Sequence, residues 1–139
     1  MADILIIDDN MADAKFIEHA INSANPAATY KIFEDGREFV DYVETKESPS
    51  PRLVVIDIKM QRMGGFEALS LVNSLPKLKD TNFVVMSDSV DQDDINKSYT
   101  FLRTLYFNKP PRWAAYKKIM HSALKEAGLL VSQPNYDIS

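Results

Sequence analysis

Four short apolar runs in this chain each end in side chains that can do chemistry. Ile4-Leu5-Ile6-Ile7 runs into Asp8 and Asp9, and Leu53-Val54-Val55-Ile56 runs into Asp57. Phe83-Val84-Val85-Met86 leads to Ser87, and Leu105-Tyr106-Phe107 leads to Asn108-Lys109-Pro110. Each residue alone has an ordinary role: a helix cap or loop acid, a strand-end hydroxyl, a solvated lysine. Brought together they would be another matter. Two carboxylates about 4 Å apart repel by about 4 kcal/mol at an effective dielectric of 20, so three cannot stay ionised without help. Either one keeps its proton or a cation binds. An all-oxygen site with few protein ligands suits Mg²⁺, which keeps waters and shares phosphate oxygens. A lysine ammonium and a serine hydroxyl beside it would both favour a phosphoryl group. The set fits phosphoryl transfer to a carboxylate, with Asp57 as one acceptor on offer.

The elements that would position these groups follow from the apolar pattern. The four runs are rich in β-branched and aromatic residues and do not alternate, which reads as strands covered on both faces. A more mixed fifth, Thr29-Tyr30-Lys31-Ile32-Phe33, suits an edge strand. Between them, Ala14, Ile17, Ala20, Ile21 and Ala24 repeat at helical spacing. Phe39, Val40 and Val43 mark a second helix, and Phe66, Leu69 and Val72 a third, stopped by Pro76. Asp91 can cap a fourth, with Ile95, Tyr99 and Leu102 on its inner face. Trp113, Tyr116, Met120, Ala123 and Leu124 form the fifth, ended by Gly128. Right-handed crossovers turn this alternation into an α/β doubly wound (βα)5 fold. The expected sheet is parallel and five-stranded, of order 2-1-3-4-5. Ligands in such sheets sit beyond the strand C-termini, between strands 1 and 3, where the acids fall.

Composition narrows the classes. A 139-residue chain fits one domain, set here at residues 1–128 with a loose tail at 129–139 and no output domain after it. It has no cysteine, which excludes disulfides and thiolate metal sites. A formal charge of −4 and no Lys/Arg run argue against nucleic acid. No apolar stretch is long enough for a membrane span, and the start lacks a signal-peptide pattern, so the expected setting is the cytoplasm.

The ordered pieces Ile6-Ile7-Asp8-Asp9-Asn10, Val55-Ile56-Asp57-Ile58-Lys59-Met60, Gly65-Phe66-Glu67, Val85-Met86-Ser87 and Tyr106-Phe107-Asn108-Lys109-Pro110 resemble the receiver domain of two-component response regulators, which has a flavodoxin-like fold. The segments Asn10-Met11-Ala12-Asp13-Ala14 and Asp94-Ile95-Asn96-Lys97-Ser98-Tyr99 look more like the small stand-alone regulators that partner phytochrome-type kinases. The resemblance implies Asp57 as phosphoacceptor, with Asp8, Asp9, Asp57 and the main-chain carbonyl of Lys59 around Mg²⁺. Ser87 would swing toward the phosphoryl group, Tyr106 would turn inward behind it, and Lys109 would bind its oxygens. It also implies a cis Lys109-Pro110 bond, a sensor histidine kinase as donor, and a downstream protein as reader. A homodimer through the helix 4, strand 5 and helix 5 face is a further expectation.

Three positions depart from the family pattern. Gln61 replaces a usual proline, Gly64 a common Asp or Asn, and Asp88 a small residue. The first two should loosen the loop after Asp57, and Asp88 adds a negative charge near the site. These departures motivate the alternative of a receiver-like interaction module not controlled by phosphorylation. An aspartyl phosphatase would need an acid where Lys59 stands, and a nucleotide hydrolase a Gly-Lys-Ser/Thr loop that is absent. Asp8 and Asp9 would repel the phosphate of a flavin mononucleotide. His19 and His121 read as surface histidines. Trp113 is either exposed as a partner anchor or packed on strand 5.

Overall fold

A computed structural model describes residues 2–45 and 47–130. The strands are β1 (Ile4–Ile7), β2 (Tyr30–Phe33), β3 (Leu53–Ile56), β4 (Asn82–Ser87) and β5 (Thr104–Asn108). The helices are α1 (Met11–Ala24), α2 (Gly36–Glu44), α3 (Gly65–Val72), α4 (Gln92–Ser98) and α5 (Trp113–Glu126). The five strands are parallel in the order β2-β1-β3-β4-β5. This is the expected doubly wound sheet, and its strand order reverses between β1 and β3.

Every residue of β1 and β3 is buried, because helices cover both faces. Leu5, Ile7, Val54, Ile56, Phe83 and Val85 pack against α2 and α3 through Phe39, Val40, Val43, Leu69 and Val72. Ile4, Ile6, Leu53, Val55, Val84 and Met86 face α1 and α5, meeting Ile17, Ile21, Tyr116, Met120 and Leu124. Each fully buried aliphatic or aromatic side chain contributes about 1.5–3 kcal/mol of transfer free energy. That burial also fixes register, since a slip of one residue would turn each strand's two faces over.

Caps set where the helices begin. Asn10 accepts from the backbone N–H groups of Ala12 and Asp13, Asp35 from Glu38, and Asp91 from Asp93. At the end of α5, Gly128 takes a φ of +71° and the Leu129 N–H donates to Leu124. Leu129 is buried in the α1/α5 core. Of the expected tail, residues 131–139 lie outside the described residues.

Two expectations change. Helix α4 stops at Ser98, so Tyr99 and Leu102 are not on its inner face; both are exposed, and Ile95 alone of the three packs on the core. Of the two readings of Trp113, exposure holds: the ring is partly exposed, tilted against Phe16 and edge-on to His19 of α1. The loop after Asp57 is also tightly packed. The Gly65 N–H donates to the Ile58 carbonyl at 2.8 Å, and a Cβ at Gly65 would fall 2.3 Å from the Asp57 carbonyl oxygen. Here the glycines permit close approach rather than slack. Gly65→Ala should therefore lower stability by about 1–3 kcal/mol, read as a reduced urea midpoint. A wild-type midpoint would contradict that packing constraint.

Candidate functional site

Register brings the acids to one level. Ile7 pairs with Ile56, the Asp57 N–H donates to the Ile7 carbonyl, and the Asp8 N–H donates to the Phe33 carbonyl. Both aspartates are therefore the first residues beyond neighbouring strands. Carboxylate oxygens of Asp8, Asp9 and Asp57 all lie within 4.8 Å of one another, Asp9 exposed and the other two buried. Asp8 is steadied by the N–H of Asn10, which donates to its Oδ1 at 2.9 Å. The Lys59 backbone lies beside Asp57, with its N–H directed at Oδ1 over 3.4 Å.

Lys109 enters from the end of β5. Its N–H donates to Ser87 at 2.8 Å, extending the β4–β5 ladder, and its ammonium reaches Asp8 at 2.9 Å and Asp57 at 3.1 Å. The Lys109-Pro110 bond is trans, contrary to expectation; no peptide bond among the described residues is cis. Trans is the intrinsically favoured isomer by about 0.5–1 kcal/mol, and the long side chain reaches the acids without the cis geometry.

Electrostatics follow burial. Removal from water pushes the Asp8 carboxyl up to about 6, against the pull of Lys109 and the Asn10 N–H. Asp57 is raised for the same reason, with Lys109 opposing. For Lys109, burial lowers the pKa, but hydrogen bonds to Asp13 and Asp8 outweigh it and keep the ammonium charged. Three clustered oxygens, two of them on carboxyls whose ionisation burial disfavours, fit a divalent cation that would favour the charged forms. A divalent cation held by Asp8, Asp9 and Asp57 would offset charge that one lysine leaves unbalanced.

The remaining expected groups are at the site's edge. Ser87 is buried, and its Oγ accepts from the Ser89 N–H at 3.1 Å rather than bonding Asp57. Tyr106 already points inward, its hydroxyl donating to the Ser89 carbonyl. Asn108 donates to that same carbonyl at 2.6 Å. Asp88 is exposed, as are His19 and His121. Two contributors escaped the sequence reading. Ser89 gathers Tyr106, Asn108 and, through its own hydroxyl, Asp94. Asp13 takes a hydrogen bond from Lys109 at 2.7 Å. The signal for Asp13 was its place in the first turn of α1, where side chains lean back toward the strand ends.

Residues 4–121 match the response regulator receiver domain family. The chain belongs to that family. Among curated relatives of this receiver domain, the probable methanogenesis regulatory protein FilR2 of Methanothrix harundinacea is 28% identical over 110 residues, covering 77% of this chain and 71% of that one. Response regulator Rcp1 of Synechocystis is 26% identical over 110 residues, covering 76% and 75%. The crystal structure of the phosphorylated cyanobacterial phytochrome response regulator RcpA superposes with a TM-score of 0.80 at 24% identity, over 97% of this chain and 100% of that one. The Mn²⁺-bound form of Rcp1 gives 0.77 at 24% identity, over 95% and 98%. Both superpositions agree with the fold. Receiver domains are signalling phosphoacceptors that act with histidine kinases, and this chain's acidic cluster could hold a divalent metal.

The receiver's metal-free stability should carry the mark of Asp8. Between about pH 4 and 6 the folded state keeps a proton that the unfolded chain has lost, so this residue's contribution falls as pH rises. Asp8→Asn should accordingly gain on wild type across that window, by about 3 kcal/mol at neutral pH in chelator. Urea midpoints at several pH values measure it; a constant difference would show that Asp8 titrates normally.

Proposed function

We propose that the chain accepts a phosphoryl group on Asp57 from the phosphohistidine of a sensor kinase, in a Mg²⁺-dependent reaction, and signals by changing what it binds. The observation that carries this reading is the Asp57 carboxylate held within 4.8 Å of Asp8 and Asp9 oxygens, with an ammonium 3.1 Å away. An Asp57 oxygen attacks phosphorus as the bond from phosphorus to the histidine nitrogen breaks; with the other ring nitrogen of the phosphohistidine protonated, the products are an acyl phosphate and a neutral imidazole. Bound Mg²⁺ would supply charge neutralisation for carboxylates and phosphoryl oxygens together. Lys109 donates to the phosphoryl oxygens, and Ser87 turns its hydroxyl from Ser89 toward them. Water attack on the acyl phosphate resets the site.

The added group brings about −1.5 to −2 charges. Ser87 and Tyr106 share the Ser89 loop, so a shift in Ser87 reaches α4 and β5 directly. There Tyr99, Leu102 and Leu105 are exposed and available to a downstream protein or a second copy. Likeness to Rcp1 and RcpA supports a phytochrome-type kinase as donor. The cytoplasm is the compartment consistent with that donor.

One observation favours a second reading, an interaction module indifferent to phosphorylation: Tyr106 is inward in the unmodified chain. Incubation with acetyl phosphate and Mg²⁺ separates the two. Intact mass should show an acid-stable, base-labile adduct that Asp57→Asn abolishes and Asp9→Asn reduces at least tenfold at limiting Mg²⁺, about 1.4 kcal/mol of lost metal affinity. No adduct, or the same adduct in Asp57→Asn, would sink the first reading.

A further inference from the structure

The Lys109 ammonium has three N–H donors and faces three carboxylates: Asp8 at 2.9 Å, Asp57 at 3.1 Å and Asp13 at 2.7 Å. Two of these belong to the metal-competent cluster; Asp13 does not. Asp13 is also relieved of the capping duty common for an acid in a first helical turn, because Asn10 caps α1 and takes the Asp13 N–H. Its carboxylate accepts from Lys109 alone among the described side chains. The lysine side chain is 5% exposed and that of Asp13 21%, so the pair is shielded from solvent.

We infer that Asp13 is a positioning residue for phosphoryl transfer, the anchor that keeps Lys109 aimed at Asp57 when a divalent cation engages the other two carboxylates. This rests on the phosphoacceptor reading of the site. A cation shared by Asp8 and Asp57 competes with Lys109 for their oxygens, and a lysine on a flexible four-carbon stem would then lose orientation. Asp13 stands outside that competition. The anchor has an electrostatic cost, since its charge opposes the incoming phosphoryl group. A purely repulsive carboxylate there would slow transfer, whereas an anchoring one raises it by holding the ammonium within reach of the reacting oxygen. Being nearest of the three to Nζ and turned back over the strand ends, it serves as anchor.

Two readouts test this. The ¹⁵N resonance of the Lys109 ammonium should be sharp in wild type with and without Mg²⁺, and in Asp13→Ala should broaden away once Mg²⁺ is added. The rate of adduct formation with acetyl phosphate at saturating Mg²⁺ should fall about tenfold in Asp13→Ala. Asp13→Asn, which keeps an acceptor oxygen in place, should stay within about threefold of wild type, a cost below 1 kcal/mol. A persisting ammonium signal in Asp13→Ala with Mg²⁺, a wild-type rate in it, or equal losses in the two variants would each overturn the anchor. Absence of any adduct on wild type would instead remove the phosphoacceptor reading, while the resonance comparison would still decide what Asp13 does to Lys109.

Discussion

Among the described residues, the Lys109 ammonium is the one cation paired with the four neighbouring carboxylates of Asp8, Asp9, Asp13 and Asp57, and three of the four touch it. If all are ionised, the count is four negative against one positive, a residue of −3. Buried charge of that kind is tolerated only when it is paired and hydrogen-bonded. Below about pH 6 Asp8 relieves part of the imbalance by keeping its proton, because burial raises its pKa to about 6; at neutral pH it is mostly ionised. The rest leaves the receiver poised for a divalent cation, and the same imbalance is what a phosphoryl anion must overcome. Without Lys109 the carboxylates could not sit this close, and with only Lys109 they remain short of positive charge.

A parallel sheet is what permits the arrangement. All strand C-termini lie at one end, so residues far apart in the chain, such as Asp8, Asp57 and Lys109, emerge side by side. Register then does the fine positioning. The pairing of Ile7 with Ile56 sets Asp8 and Asp57 level, and the pairing of Ser87 with Asn108 sends Lys109 one step beyond them. That register is enforced from within: Ile4 and Ile6 must face α1 and α5 while Leu5 and Ile7 face α2 and α3. The chemistry at the strand ends is thus held by apolar packing several residues away.

Much of this was legible because the governing signals are local. Unbroken runs such as Leu53-Val54-Val55-Ile56 mark buried strands, and the polar residue after each run marks its end. What was not legible depends on tertiary contact. Tyr99 and Leu102 continue the helical spacing from Ile95, yet the helix stops at Ser98 and the chain turns through Arg103 at a φ of +51°. Tyr99 instead lies along the β5 edge, its hydroxyl accepting from the Tyr106 N–H at 3.3 Å. Asp13 reads as a first-turn acid until the fold shows that Asn10 has taken the cap and Lys109 stands opposite. The trans Lys109-Pro110 bond, by contrast, is the dipeptide's own preference, and the expected cis form came only from the family resemblance.

Tyr106 bears most directly on how such a receiver could switch. Its hydroxyl and the Asn108 amide both donate to the Ser89 carbonyl, and the Ser89 hydroxyl donates to Asp94 at the start of α4. The Ser89 N–H donates to Ser87, so one residue ties the strand end, the aromatic ring and the helix together. A ring already buried cannot be what phosphorylation newly buries. Ser87 is then the nearer candidate for what changes: its Oγ accepts from the Ser89 N–H, so a movement of that side chain would be felt by the loop that Ser89 organises. Shifting a two-state equilibrium from 1:99 to 99:1 takes about 5.5 kcal/mol, and a chain that rests part-way along needs less. Under the proposed phosphorylation, the unmodified arrangement would lower the demand on the acyl phosphate, at the cost of a smaller contrast between the two states.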